Sequence, residues 1–168
     1  MKPLHLCAVL LVCSGAALAQ TAPETLRAPL IGNDGSPIGE IDLRGGPNGS
    51  VLRIAVRAGK VAAGWHGMHF HAVGDCSDMA KFEASKAHVN HGGKQHGFLN
   101  AGGPDDGDLP NVFAAADGAV QAEVFTANKL ASLRDADGSA VILHANADDH
   151  ASQPIGGAGN RIGCAAIK

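Results

Sequence analysis

The segment from Ala72 to Asn111 decides what this chain can become. It runs for about forty residues without a sustained apolar period, and a compact domain accommodates that much irregular chain only when something holds it. The segment carries Cys76, His88, His91 and His96, followed by Asp105, Asp106 and Asp108. A disulfide and bound metal could therefore do the work that secondary structure does not. Taken alone, the same composition also fits a solvated polar loop rich in histidine.

Around this segment the chain reads as short strands. Candidates are Leu26–Ile31, Pro37–Leu43, Ser50–Val56, Gly67–His71, Val120–Phe125, Ala140–Leu143 and Ile162–Ile167. Turn signals separate them at Asn33-Asp34-Gly35, Gly45-Gly46-Pro47-Asn48-Gly49, Asp117-Gly118 and Asp137-Gly138. Period-two alternation is clearest at Leu52, Ile54 and Val56, with Arg53, Ala55 and Arg57 facing the other way. This pattern predicts an all-β domain, an antiparallel sandwich or barrel. A short helical turn is expected within Ala127–Arg134, and no long amphipathic helix, internal repeat or second domain is visible.

The N-terminus bounds the compartment. Met1-Lys2 precedes an apolar stretch from Leu4 to Leu18, and Ala17-Leu18-Ala19 has the small-x-small form of a cleavage site. Residues 1–19 are read as a signal peptide and 20–168 as one domain, exported to the periplasm or secreted. The stretch is short for a membrane anchor, and Ser14, Gly15 and Gln20 interrupt or end it. A lipidated Cys13 is disfavoured by the bulky Val12 before it. The formal net charge is −3, one unit more negative once Lys2 is removed. With no basic runs, this argues against nucleic acid or an anionic membrane as partner. Cys7 and Cys13 leave with the leader, so Cys76 and Cys164 predict one disulfide in an oxidising compartment, the alternative being two buried thiols.

Of the nine histidines, eight lie beyond the leader. His69 and His71 alternate on one strand, so both imidazoles can reach one face. His88, His91 and His96 fall within nine residues, and His144 follows the Ala140–Leu143 strand with Asp148 and Asp149 close behind. Imidazoles suit copper and zinc, and a mixed imidazole–carboxylate set suits zinc. Three separated ligand groups are enough for a site of two metals. His66, three residues before His69, faces the opposite side and is expected to be a hydrogen-bonded structural histidine. His150 is expected to be exposed, and Trp65 to pack.

Three strings taken together are similar to the copper/zinc superoxide dismutases of exported bacterial type. They are Gly-Met-His-Phe-His-Ala-Val-Gly-Asp-Cys at 67–76, Asp-Gly-Asp-Leu-Pro-Asn at 106–111 and Gly-Gly-Ala-Gly-Asn-Arg-Ile-Gly-Cys at 156–164. The similarity runs in order through residues 20–168. It implies a Greek-key β-sandwich or flattened barrel with long metal-binding loops, and dismutation of superoxide to dioxygen and hydrogen peroxide. It also implies copper on His69, His71, His88 and His144, and zinc on His88, His96 and Asp108. His88 would bridge the two metals as an imidazolate and exchange a proton during turnover. Asp148 would link a copper histidine to a zinc histidine, Arg161 would guide superoxide, and Cys76 would pair with Cys164. Related bacterial enzymes occur as monomers and homodimers.

One position departs from that pattern. Where the family supplies a further zinc histidine, this chain has Asp105. Carboxylates bind zinc, but an aspartate is shorter than a histidine, and the loop must shift to let it reach. The outcomes left open are Asp105 as ligand, His91 as substitute, and a weakened or absent zinc site. Three other functions remain compatible with parts of the pattern: a copper-only dismutase, an exported copper-buffering protein without turnover, and an adhesion domain on a sandwich fold. The last leaves the ordered ligand set without a purpose, and a buffering protein has no need of Arg161.

Overall fold

The computed structural model describes residues 24–168; the leader read at residues 1–19 lies outside them. The chain forms β1 (Glu24–Gly32), β2 (Pro37–Gly46), β3 (Gly49–Val56), β4 (Gly64–His66), β5 (Met68–His71), β6 (Val112–Ala114), β7 (Val120–Thr126), α1 (Leu130–Leu133), β8 (Ser139–His144) and β9 (Arg161–Ile167). Seven strands make one antiparallel sheet in the order β5-β8-β9-β1-β2-β3-β7, and β4 pairs with β6 separately. Long connections bring β9 beside β1 and β7 beside β3, so strands distant in sequence become neighbours. This is the expected all-β, antiparallel architecture.

The alternation of β3 sets the register. Leu52 and Ile54 face Leu43 and Ile41 on one side and Val124 and Ala122 on the other, and together with Leu30, Met68, Phe70 and Leu143 they build the main core. On the outer face Arg53 sits between Asp42 and Glu123 and pairs with Glu123, an exposed contact worth at most about 1 kcal/mol. The expected strands are all present, several longer by one to three residues. The pair β4–β6 was not expected: each strand has only three residues, too few to show a period.

Strand β5 carries the transition from core to site. All four of its residues are buried. Met68 and Phe70 enter the main core, while His69 and His71 point to the other face. That face is closed by the long loop, which is stitched to β5 by backbone bonds: Phe70 N–H to Gly107 O, Val89 N–H to Phe70 O, and Ala72 N–H to Ala87 O. Gly107 has to be glycine, because a Cβ there would lie 2.5 Å from Phe70 O and 2.8 Å from His88 Cβ. Further along, Cys76 is bonded to Cys164 of β9, with Cα atoms 5.8 Å apart.

Candidate metal centre

Four histidines converge with their ring nitrogens sorted. His69 Nε2–H donates to Asp148 Oδ2 at 2.7 Å, His71 Nδ1–H to Lys86 O at 2.7 Å, His144 Nδ1–H to Gly159 O at 3.0 Å, and His88 Nδ1–H to Asp105 Oδ2 at 3.0 Å. A neutral imidazole has one N–H, so each ring presents a lone pair on its other nitrogen. Those atoms, His69 Nδ1, His71 Nε2, His88 Nε2 and His144 Nε2, are buried and unpartnered; among the described residues only His150 Nδ1 shares that condition. A buried polar atom without a partner is costly, and the three on His69, His71 and His144, which lie within 4.8 Å of one another with the His88 ring next to those of His69 and His71, fit a soft-to-borderline cation such as copper.

The local fold explains the convergence. His69 and His71 come from alternate positions of β5. His144 lies inside β8 rather than just after it, where a bulge between Leu143 and His144 turns the ring and sets it opposite Arg161 of β9. His88 forms an isolated bridge with His71, as Asp108 does with His69. Ligand atoms of His69, His71 and His144 lie within 4.8 Å of one another. The His88 ring centroid is 4.2 Å from that of His69 and 5.2 Å from that of His71.

A second cluster shares His88. Ligand atoms of His88, His96, Asp105 and Asp108 also fall within 4.8 Å of one another, all buried. Two imidazoles and two carboxylates are a fitting zinc donor set. Asp105 does reach, and His91 is exposed and outside both clusters. Asp148 joins the halves: one oxygen faces His69 Nε2, the other His96 Nε2 at 3.2 Å. Asp148 is itself fixed by the His150 N–H on its carboxylate and by Asn111, which bonds its backbone at both ends.

Two expectations about isolated histidines resolve differently. His66 is hydrogen-bonded as expected, and buried, with Nδ1 2.8 Å from His144 O and Nε2 2.9 Å from Ala62 O. His150 is not exposed but half-buried, against Asn111 and the Phe98 ring. Its left-handed backbone (φ 58) tucks the ring back toward the loop. Trp65 does not pack inward; it is 57% exposed and meets Phe113 edge-on across the β4–β6 pair.

Beside the histidines lies a cavity of about 320 Å³ lined by His71, His88, Lys94, Asp105 and Arg161, among others. Arg161 donates through Nη1 to Phe82 O (2.7 Å) and Ser85 Oγ (3.0 Å), and through Nη2 to Lys86 O (2.8 Å). The carbonyls it uses belong to residues with left-handed backbones, Phe82 (φ 53) and Lys86 (φ 66). The loop shape and the arginine thus support each other.

Burial also governs protonation. It lowers His144 to about 3, helped by the nearby His69, and holds His71 well below its ordinary value, aided by Arg161. His69 is lowered by burial despite Asp148. Burial alone would raise Asp148, but the His69 hydrogen bond and the His150 N–H hold it at about 2. In metal-free protein the unfolded chain therefore binds more protons than the folded one below about pH 6.5. Stability is expected to fall as pH drops from there toward 3, by about 2 kcal/mol between pH 7 and 5. Urea unfolding of the metal-free protein at those two pH values checks this; equal midpoints contradict it.

The fold and donor set define an antiparallel β domain with a two-part imidazole and carboxylate cluster that could hold metal beside a cavity. A family model described as copper/zinc superoxide dismutase matches residues 38–167. The chain belongs to that family. It is 43% identical over 143 residues to a superoxide dismutase [Cu-Zn] of Caulobacter vibrioides, spanning 80% of both chains. It is 32% identical over 149 residues to superoxide dismutase [Cu-Zn] 2 of Aquifex aeolicus, spanning 84% of this chain and 85% of that one. Among solved structures it resembles a SOD-like protein from Bacillus subtilis (TM-score 0.76, 30% identity, 86% of this chain and 100% of that one). It also resembles the Cu/Zn superoxide dismutase from Brucella abortus (TM-score 0.72, 25% identity, 86% and 100%).

Proposed function

We propose that this chain dismutates superoxide, converting two superoxide anions and two protons to dioxygen and hydrogen peroxide. Copper would be held by His69, His71, His88 and His144, and zinc by His88, His96, Asp105 and Asp108. The observation that carries the reading is the convergence of three unpartnered imidazole nitrogens, on His69, His71 and His144, with a fourth on the adjacent His88, beside a cavity that Arg161 also lines. Copper, when bound, supplies the one-electron couple that dismutation needs, which zinc lacks. The protein's own contribution is to fix the rings. Lys86 O, Gly159 O and Asp148 each take one N–H and leave the opposite nitrogen free as a ligand.

Arg161 is always charged and offers a rigid fork of donors, so it is assigned to binding and orienting the anion at the cavity. His88, shared between the clusters and lining the same cavity, is placed to exchange a proton. Export to the periplasm or medium is part of the proposal, supported by the leader at residues 1–19 and by the Cys76–Cys164 disulfide. Among the described residues no helix is long and apolar enough to cross a membrane.

The test is copper and zinc content per chain, measured on the sample whose superoxide-dependent activity is assayed. About one copper per chain with activity abolished by chelation is expected. Bound copper without activity would favour the copper-buffering alternative, and full activity with no zinc would favour a copper-only dismutase.

A further inference from the structure

Asp105 is the residue that sets this centre apart from the histidine expected at its position, and its contacts give it a second use. Its Oδ2 accepts the His88 Nδ1–H at 3.0 Å, while its Oδ1 accepts the Gly107 N–H at 2.9 Å. Its own N–H donates to Asp108 Oδ2 at 3.0 Å. The carboxylate is thus held from both sides by the loop, in a turn that leaves no room for a Cβ at residue 107.

We propose that Asp105 is a positioning residue that stands in for zinc toward His88, so that the copper half of the centre keeps its shape when zinc is absent. This rests on the copper assignment above. A bridging histidine needs something on Nδ1 to fix its ring and aim Nε2. In a zinc-loaded centre the metal does this. Without zinc, a carboxylate accepts Nδ1–H directly, which fixes the tautomer with the proton on Nδ1 and the lone pair on Nε2, the unpartnered atom of a ring that lies beside those of His69 and His71. The other acidic group near that nitrogen is Asp108, whose nearer oxygen is 3.7 Å away and bonded to His96 Nδ1. Asp105 alone is at bonding distance. No net chemistry is involved: the N–H stays on His88, and zinc binding would displace it as a proton.

The experiment uses the mature protein loaded with copper alone or with copper and zinc, in wild type, Asp105→Ala and Asp105→Asn. The readouts are the copper(II) electron paramagnetic resonance spectrum, copper affinity by chelator competition, and the His88 tautomer by ¹⁵N NMR of the metal-free protein. In wild type, withholding zinc is expected to leave the copper spectrum almost unchanged and the affinity within about threefold. In zinc-free Asp105→Ala, affinity is expected to fall about tenfold or more, with an altered spectrum and a mixed His88 tautomer. Asp105→Asn keeps the size and an acceptor oxygen and should fall between the two, which separates loss of the contact from loss of folding. A wild-type copper spectrum that changes on zinc removal as much as that of Asp105→Ala would overturn the proposal. If wild type takes up no copper at all, the copper assignment itself fails instead.

Discussion

Replacing Cys76 and Cys164 together by alanine is expected to lower the melting temperature by about 10 °C. The two cysteines are 88 positions apart, and closing a loop of that length restricts the unfolded chain by about 4.6 kcal/mol in the chain-entropy model. For a domain of this size each kcal/mol corresponds to roughly 2–4 °C. The bond also has a local consequence. Cys164 is fully buried in β9, in a small cluster with Phe82, Ala140 and Ile142, so the disulfide fastens the loop that offers Phe82 O, Ser85 Oγ and Lys86 O to Arg161. Thermal unfolding of the variant and wild type, both metal-free and both metal-loaded, makes the measurement. Melting temperatures within about 2 °C of each other would remove the disulfide from the account of stability. A lower activity at temperatures where the variant is still folded would show that the loop, and not only the unfolded state, is affected.

What could be read in the sequence was what has a period or a fixed spacing. Leu52, Ile54 and Val56 announced β3, and its neighbours followed from turn residues. His69 and His71, two apart on a buried strand, were legible as a pair. The segment 72–111 was legible only as a stretch requiring external support. Besides the Cys76–Cys164 disulfide, which the sequence did predict, its support on the β5 side is backbone to backbone, through Phe70, Gly107, Val89 and Ala87, and a carbonyl or an N–H carries no side-chain signature. The same limit hid what fixes the rings proposed to hold copper. Lys86 O and Gly159 O orient His71 and His144, but any residue would supply a carbonyl there. The bulge before His144 was invisible for a related reason, since it appears only once β8 is paired with β9. Asp105 was legible as a departure, but whether a short side chain could reach was a question of loop path. The turn through Gly107 answered it.

Arg161→Ala is the second large effect expected, on activity and not on metal content. Superoxide is a small anion approaching a chain of net negative charge, and Asp105 adds a carboxylate at the cavity. Attraction must therefore be local, and Arg161 with Lys94 supplies the cations on the cavity wall. Losing the guanidinium is expected to lower kcat/KM about tenfold or more and to flatten its dependence on ionic strength, since screening has less to act on. The structure adds a complication that charge alone would not suggest. Lys86 O accepts from both Arg161 Nη2 and His71 Nδ1, so the arginine also steadies the carbonyl that orients the His71 ring. Arg161→Lys separates the two roles: a lysine keeps the charge but not the planar fork that reaches Phe82 O, Ser85 Oγ and Lys86 O together. Lysine should restore the salt dependence while leaving kcat/KM below wild type. Unchanged activity in Arg161→Ala would discard the guidance role. Loss of copper in that variant would instead place the main contribution of Arg161 in the ring geometry of His71.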